Sequence, residues 1–336
     1  MNLHEERYAR FALVREMLET VDIIRDFKTS NLSDVAAAIS KNGKLFLTGE
    51  GSSRIFPAKN AIHVARQNRL PLTICTEGSR QAAELDLSEF ILFGASNSGK
   101  TKEVISLFHD CPAMKKYALT AFAGTPLEKL SATAFILNCG KEDAVAATKS
   151  VIEQALFYHQ LLMAIAGKTI TTAELHQLAE YSRQVLELNI PPEITSKLKS
   201  VPVIYFAGRN VGVAEEATLK TNEITRKKSA YLEGTYAVHG IEEVMEPGET
   251  VAVIDPFVAE EQKFKEVLVD GVGLNVIAIA GRDTLFPTIK IPVMAGFDHY
   301  LQLQTCWNLL IEVGIAAGVN LDKPERARKV GNEFII

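Results

Sequence analysis

Two stretches of the chain hold side chains whose types and spacing point to chemistry. The first is Phe90-Ile-Leu-Phe-Gly-Ala-Ser-Asn-Ser-Gly-Lys-Thr-Lys-Glu-Val104, an apolar run, a small-residue loop and the start of an amphipathic pattern, which reads as strand, loop and helix. Ser96, Asn97 and Ser98 offer hydroxyl and amide groups, Gly99 lets the backbone approach closely, and Thr101 opens a helix whose unsatisfied N–H groups carry partial positive charge. A phosphate group suits that loop. The second stretch is Lys220-Thr-Asn-Glu223 on an expected helix, with His239-Gly240 following sixteen residues after Glu223. Three residues apart, Lys220 and Glu223 lie on neighbouring helix faces. A carboxylate and an imidazole are the commonest general acid–base groups, although either one alone reads as an ordinary surface residue.

The elements that must position these residues alternate along the chain. Helical spacing over residues 2–27 and a second short helix from Ser30 or Ser33 form a lead-in. Strand Lys44–Gly49, the loop Glu50-Gly-Ser-Ser53, a helix to about Gln67, a strand at Leu70–Cys75 and the Phe90–Phe93 strand follow. Strands at Tyr117–Ala123 and Thr133–Asn138 and a long helix from Val145 to Ala166 complete a doubly wound parallel α/β unit. After a helical connector at Ala173–Leu188, the pattern restarts at Val201–Gly208 and runs through helix Val213–Lys227, strand Thr250–Ile254, helix Glu260–Leu268, strands Leu274–Ala280 and Thr288–Ile291, and helix Asp298–Ala317. Gly49 and Gly208, Gly124 and Gly281, and Gly167 and Gly318 stand in matching contexts at offsets of 159, 157 and 151, which indicates a tandem duplication. The expected division is a lead-in over 1–40, a first domain over 41–170, a connector over 171–198, a second domain over 199–320 and a tail over 321–336.

Composition narrows the function classes. The chain has 336 residues, 47% of them hydrophobic and 23% charged, enough for two cores of ordinary domain size. A net charge of −5 without long Lys/Arg runs argues against nucleic acid as a partner. Cys75, Cys111, Cys139 and Cys306 lie far apart without C-x-x-C spacing and read as buried thiols in a reducing cytoplasm. No stretch has the length of a membrane span, and the charged N-terminal residues do not resemble a signal peptide. His63, His109, His159, His176 and His299 lack ligand spacing, so no metal and no organic cofactor is expected.

The loop Gly94-Ala-Ser-Asn-Ser-Gly99-Lys100-Thr101 also satisfies the nucleotide-binding pattern G-x-x-x-x-G-K-T. Two observations weigh against that reading. Expected strands at Leu45 and Leu72 precede the loop, whereas such a loop normally follows the first strand; and the Asp that would hold Mg²⁺, Asp255, lies 155 residues beyond Lys100 in the other repeat.

The duplicated halves, the Ser-rich loop and the K-x-x-E and H-G spacing together resemble the two-domain sugar isomerase (SIS) family, as in the isomerase half of glucosamine-6-phosphate synthase and in stand-alone phosphosugar isomerases and deaminases. The resemblance runs over essentially the whole chain and implies two tandem SIS domains, each a parallel sheet flanked by helices in a flavodoxin-like three-layer sandwich. It implies that Ser96, Asn97, Ser98 and Thr101, with Ser53 and beside it Ser52, bind the phosphate and neighbouring sugar atoms. It also implies that Lys220 and Glu223 belong to the catalytic set, Glu223 moving a proton between C1 and C2, and that His239 opens the sugar ring from across a homodimer interface.

The tail Leu321-Asp-Lys-Pro-Glu-Arg-Ala-Arg-Lys-Val330 resembles the family's D-x-P-x-x-x-x-K segment, which gives Lys329 as the Schiff-base lysine. Glu142-Asp-Ala-Val145-Ala-Ala-Thr-Lys149 resembles E-x-x-V-A-S-T-K, implying Glu142 and Val145 beside the sugar. Departures are Asn97 for Gln, Glu50 for Cys, Ala147 for Ser and Ile241 after His239-Gly240. The implied activity is aldose–ketose isomerisation of a sugar 6-phosphate or deamination of an amino-sugar 6-phosphate. A fructosamine-6-phosphate deglycase and a non-catalytic sugar-phosphate sensor share the scaffold. No cysteine amidotransferase segment is read, so the chain is not expected to draw ammonia from glutamine by itself.

Overall fold

The computed structural model describes residues 1–30 and 32–326. It contains two compact units, one made of Glu19–Asp143 with Ala147–Ala179, here the first unit, and one made of Met1–Leu18, Ala144–Ala146 and Glu180–Glu325, the second.

In the first unit, β1 (Lys44–Gly49), β2 (Thr73–Gly78), β3 (Ile91–Ala95), β4 (Lys115–Thr120) and β5 (Thr133–Ile136) form one sheet in the order β2-β1-β3-β4-β5. All neighbours are parallel. The β3 run Ile-Leu-Phe-Gly-Ala is buried along its whole length, as expected for the central strand of a sheet covered on both faces. The Phe93 ring lies 5.1 Å from Tyr117 and 5.9 Å from Phe157, tying the sheet to the long helix Lys149–Ile165.

The second unit repeats the plan. Its strands β6 (Val203–Gly208), β7 (Lys228–Glu233), β8 (Thr250–Ile254), β9 (Asn275–Ala280) and β10 (Thr288–Lys290) are ordered β7-β6-β8-β9-β10 and are all parallel. Buried Val251, Val253, Val276 and Ala278 meet Phe264 and Leu268 in a core on one face of this sheet.

Four local expectations are corrected. Strand β7 is not among the expected elements, because Lys-Ser-Ala-Tyr-Leu-Glu shows no clean alternation of apolar and polar residues; Arg226 ends the preceding helix with φ 58, and the chain continues as an edge strand beside β6. A helix, Pro192–Ser200, stands between the expected connector helix and the Val201 strand, where no element is expected; Pro192 lies in its first turn, where proline is tolerated. Strand β2 begins after Pro71 and extends to Gly78 rather than spanning Leu70–Cys75, since its register with β1 starts at Lys44 with Thr73. The long helix starts at Lys149 instead of Val145, for a reason that lies in the candidate site.

Candidate active site

In the first unit the connections from β1 and from β3 leave toward opposite edges of the sheet, and between such strands the loops at their carboxyl ends splay apart and form the usual ligand crevice of an open α/β sheet. The β1 loop is Glu50 followed by the tight turn Gly51–Ser53. The β3 loop is Ser96–Thr101, running into the helix Lys102–Asp110. Gly49 pairs with Ala95 in the register. Two glycines hold the second loop: a Cβ on Gly94 would stand 2.4 Å from the Phe108 ring, and Gly99, at φ 64, would place one 2.5 Å from Thr125. No larger residue fits either position without displacing the helix or the next loop.

Counting protons shows what this loop offers. A serine or threonine hydroxyl has one proton to donate and two lone pairs. Ser98 Oγ accepts from the Lys100 N–H at 3.2 Å, and Ser96 Oγ accepts from the Thr101 N–H at 3.3 Å. The Ser96 and Thr101 hydroxyls bond to each other at 2.7 Å, which uses one of their two protons and leaves the other. In the β1 loop, Ser53 Oγ accepts from the Gln154 amide at 3.5 Å. The internal bonds therefore fill lone pairs and leave hydroxyl protons available as donors. The Asn97 and Ser98 N–H groups find no acceptor among the described residues. Donors converging at a helix N-terminus form an anion site.

Asn97 is held by a neighbouring turn. Its Nδ2 donates to the Gly140 carbonyl at 3.3 Å, and its Oδ1 accepts from the Cys139 thiol at 3.5 Å. The segment it faces is held by buried carboxylates. Glu153 accepts from the Asn138 and Cys139 N–H groups at 2.8 and 2.6 Å. Glu142 accepts from the Thr148 N–H at 2.7 Å and the Ser150 hydroxyl at 2.6 Å. By capturing Thr148 and Ser150, Glu142 fixes where the long helix begins and keeps the residues before it in a loop. Both of its oxygens are engaged inside the unit.

The second unit carries the other candidates. Lys220, fully buried on the helix Val213–Thr225, lies 2.8 Å from Glu223 and 3.3 Å from Glu216. Burial by itself would lower the pKa of the ammonium; Glu223 and then Glu216 outweigh it and hold the value above that of an ordinary lysine. The Glu223 side chain is 26% exposed, so a carboxylate anchored on a buried lysine still reaches solvent. His239 is exposed on the turn after β7, with Gly240 at φ 110 behind it. Its imidazole makes no hydrogen bond among the described residues. Val145 is half-buried, in the Ala144–Ala146 segment of this unit. Asp322, from the tail pattern, accepts from the Ala12 and Leu13 N–H groups at 2.9 Å each and so caps the helix Ala12–Arg25. Lys329 lies outside the described residues.

Replacing Lys220 by Met is expected to cost about 3–5 kcal/mol, because it leaves the buried Glu216 carboxylate without this cation. Urea unfolding followed by circular dichroism measures this. Since the folded-state pKa is raised, the lysine's contribution is fully present below its unfolded value near 10.4 and fades as pH rises through the folded value.

No protein-family model matches the chain. Among curated proteins it is 24% identical over 265 residues to glutamine–fructose-6-phosphate aminotransferase [isomerizing] of Aeropyrum pernix, covering 72% of this chain and 43% of that protein. The chain thus spans under half the length of the curated relatives it matches. Among solved structures, the C-terminal domain of glucosamine-fructose-6-phosphate aminotransferase from Francisella tularensis superimposes with a TM-score of 0.79 at 16% identity, over 95% of this chain and 100% of that one. The fold is that of tandem SIS domains. Glucosamine-6-phosphate deaminase of Thermotoga maritima (TM-score 0.72, 17% identity, 96% and 99% covered) and tagatose-6-phosphate ketose/aldose isomerase of Escherichia coli (0.74, 18%, 95% and 98%) share it.

Within the tandem SIS fold each sheet has a switch point, and the two differ. In the second unit the positions matching the β1 and β3 loops hold Arg209 and Asp255, paired at 2.7 Å, with the guanidinium 4.2 Å over the Phe257 ring. Asp255, the Mg²⁺ candidate of the nucleotide reading, is therefore already bound to a cation of its own unit. Among the described residues no group of three or more His, Cys, Asp or Glu side chains is placed to hold a metal ion, and no helix is long and apolar enough to cross a membrane. Burial pushes His159 down to about 4, in keeping with its reading as a packing residue. Glu216, Glu153 and Gln154 escaped the sequence reading. The available signal was charged or amide residues inside apolar helical runs, where a buried polar group needs a partner.

Proposed function

We propose that the chain is a phosphosugar isomerase or amino-sugar-phosphate deaminase, its substrate a sugar 6-phosphate. The observation that carries the reading is Glu223, an accessible carboxylate paired at 2.8 Å with a fully buried lysine on the tandem SIS fold. The Ser96–Thr101 loop with Ser53, beside Ser52, takes the phosphate. The half-buried Val145 and the loop braced by Glu142 stand toward the sugar. The domain limits of 41–170 and 199–320 belong to the same reading.

In the first step the C1 hydroxyl loses its proton, the ring oxygen gains one and the bond from C1 to the ring oxygen breaks, freeing the aldehyde. His239, an exposed imidazole of the side-chain type most often used for proton transfer, performs this exchange from a second copy of the chain. Glu223 then removes the C2 proton while the C1 oxygen is protonated, and returns a proton to C1 as the C2 oxygen gives up its own. The ketose results. With an amine at C2 the same transfer yields a C2 imine, which water hydrolyses to ketose and ammonia. Lys329 acts as the amine that traps the open-chain ketose. The buried thiols Cys111, Cys139 and Cys306 suit a reducing cytoplasm.

Incubating the purified protein with a panel of hexose and hexosamine 6-phosphates, scoring ketose and ammonia together, tests the proposal. Ketose alone identifies an isomerase and both products a deaminase. Release of an amino acid from a fructosamine 6-phosphate identifies the deglycase. Binding without turnover of any sugar phosphate overturns the enzymatic reading in favour of a sensor.

A further inference from the structure

Glu153 is a fully buried carboxylate to which the proposed chemistry assigns no task. It stands on the long helix, only 1% exposed, and spends both oxygens on consecutive backbone N–H groups, Asn138 and Cys139, with the Asn138 side-chain amide as a third donor at 3.2 Å. The next residue, Gly140, turns with φ 62. That turn presents its carbonyl to Asn97 Nδ2 and the Cys139 thiol to Asn97 Oδ1, so the two ends of one amide are held by one turn. Burial, then the nearby Glu153 and Glu142 carboxylates, push the Cys139 thiol up; it stays protonated and remains a donor. The Asn97 carbonyl is fixed as well, by the Ala121 N–H at 2.9 Å and the Thr120 hydroxyl at 3.2 Å.

An Asn amide has two N–H donors in one plane. With one committed to Gly140, the direction of the other is set. We infer that Glu153 is a positioning residue for ligand binding: through the Cys139–Gly140 turn it orients Asn97 so that the second amide proton, together with the hydroxyls of the same loop, is presented to the phosphate. The inference rests on the proposal that the Ser96–Thr101 loop holds a sugar phosphate. It assigns a ligand-orienting role to a carboxylate that never touches the ligand. It also explains why an amide serves at position 97, since a residue without both a donor and an acceptor could not be clamped by this turn.

The test is a double-mutant cycle read by titration calorimetry with fructose 6-phosphate and glucosamine 6-phosphate. Glu153→Gln keeps the volume but sets an NH₂ against backbone donors. It is expected to weaken binding about 10- to 100-fold, the loss of a hydrogen bond to a charged group. In the Asn97→Ala background the same change should weaken binding no further, while any fall in melting temperature appears in both backgrounds. Coupling of this kind separates orientation from simple destabilisation. Glu153→Gln binding as tightly as wild type, or weakening binding equally with and without Asn97, overturns the inference. Should Glu153→Gln fail to fold, Cys139→Ala, which removes only the thiol donor, runs in the same cycle, with a smaller loss expected that again vanishes in Asn97→Ala. Wild-type protein that binds neither sugar phosphate overturns the phosphate reading itself and the inference with it, an outcome distinct from the others.

Discussion

Exchange of the substrate's C1/C2 hydrogen with solvent is expected to be lost when Glu223 is replaced by Gln. The amide keeps the shape of the side chain and can still meet Lys220, which retains Glu216 at 3.3 Å, so the fold and the buried cation survive. What disappears is the only group in the pair that can take a proton from carbon. General acid–base groups typically contribute about 10²- to 10⁴-fold, and a loss of that size in kcat with little change in KM is the expected signature of a group used in the transition state. Tritium or deuterium wash-in from solvent, followed by NMR, reads the proton transfer directly. Near wild-type turnover in Glu223→Gln would make the carboxylate an ion-pair partner of Lys220 and nothing more.

Binding of sugar 6-phosphates is expected to collapse when Ser96 and Ser98 are both replaced by Ala. Each hydroxyl donates to a charged acceptor in this reading, worth roughly 1.5–3 kcal/mol, so the pair together accounts for about 10²- to 10⁴-fold in affinity. Ser96→Ala also removes the acceptor of the Thr101 N–H and the partner of its hydroxyl, loosening the entry to the helix, whereas Ser98→Ala frees only the Lys100 N–H at the surface. The loss should therefore be larger for Ser96. Calorimetry with the phosphorylated sugar and its unphosphorylated counterpart isolates the phosphate contribution, because the latter should not bind to either protein. Equal affinity for ATP, or Mg²⁺-dependent ATP hydrolysis abolished by Lys100→Ala, would instead establish a nucleotide loop.

The strand–loop–helix around Ser96 was legible because each of its signals is local. An unbroken apolar run, four small polar residues and an amphipathic start need nothing from the rest of the chain to be recognised. The same holds for the helix bearing Lys220 and Glu223 and for the three landmark glycine pairs that betray the duplication. Strand β7 was not legible, because an edge strand of mixed polarity has no periodicity that separates it from the end of a helix; only pairing with β6 makes it a strand.

By itself, then, the sequence determined the α/β class, the tandem repeat, the small-residue loop after β3 and the spacing of Lys220, Glu223 and His239, all of them properties carried by residues close together or by simple repetition. Only the tertiary structure decided that Met1–Leu18 belong with the unit of Glu223, that Glu216 joins Glu223 on Lys220, and that Glu142 and Glu153 spend their charge on backbone N–H groups of one loop. The physical reason is the same in each case. A carboxylate reads alike in sequence whether it is solvated or buried, and its role is set by which donors the fold brings to it once water has been removed.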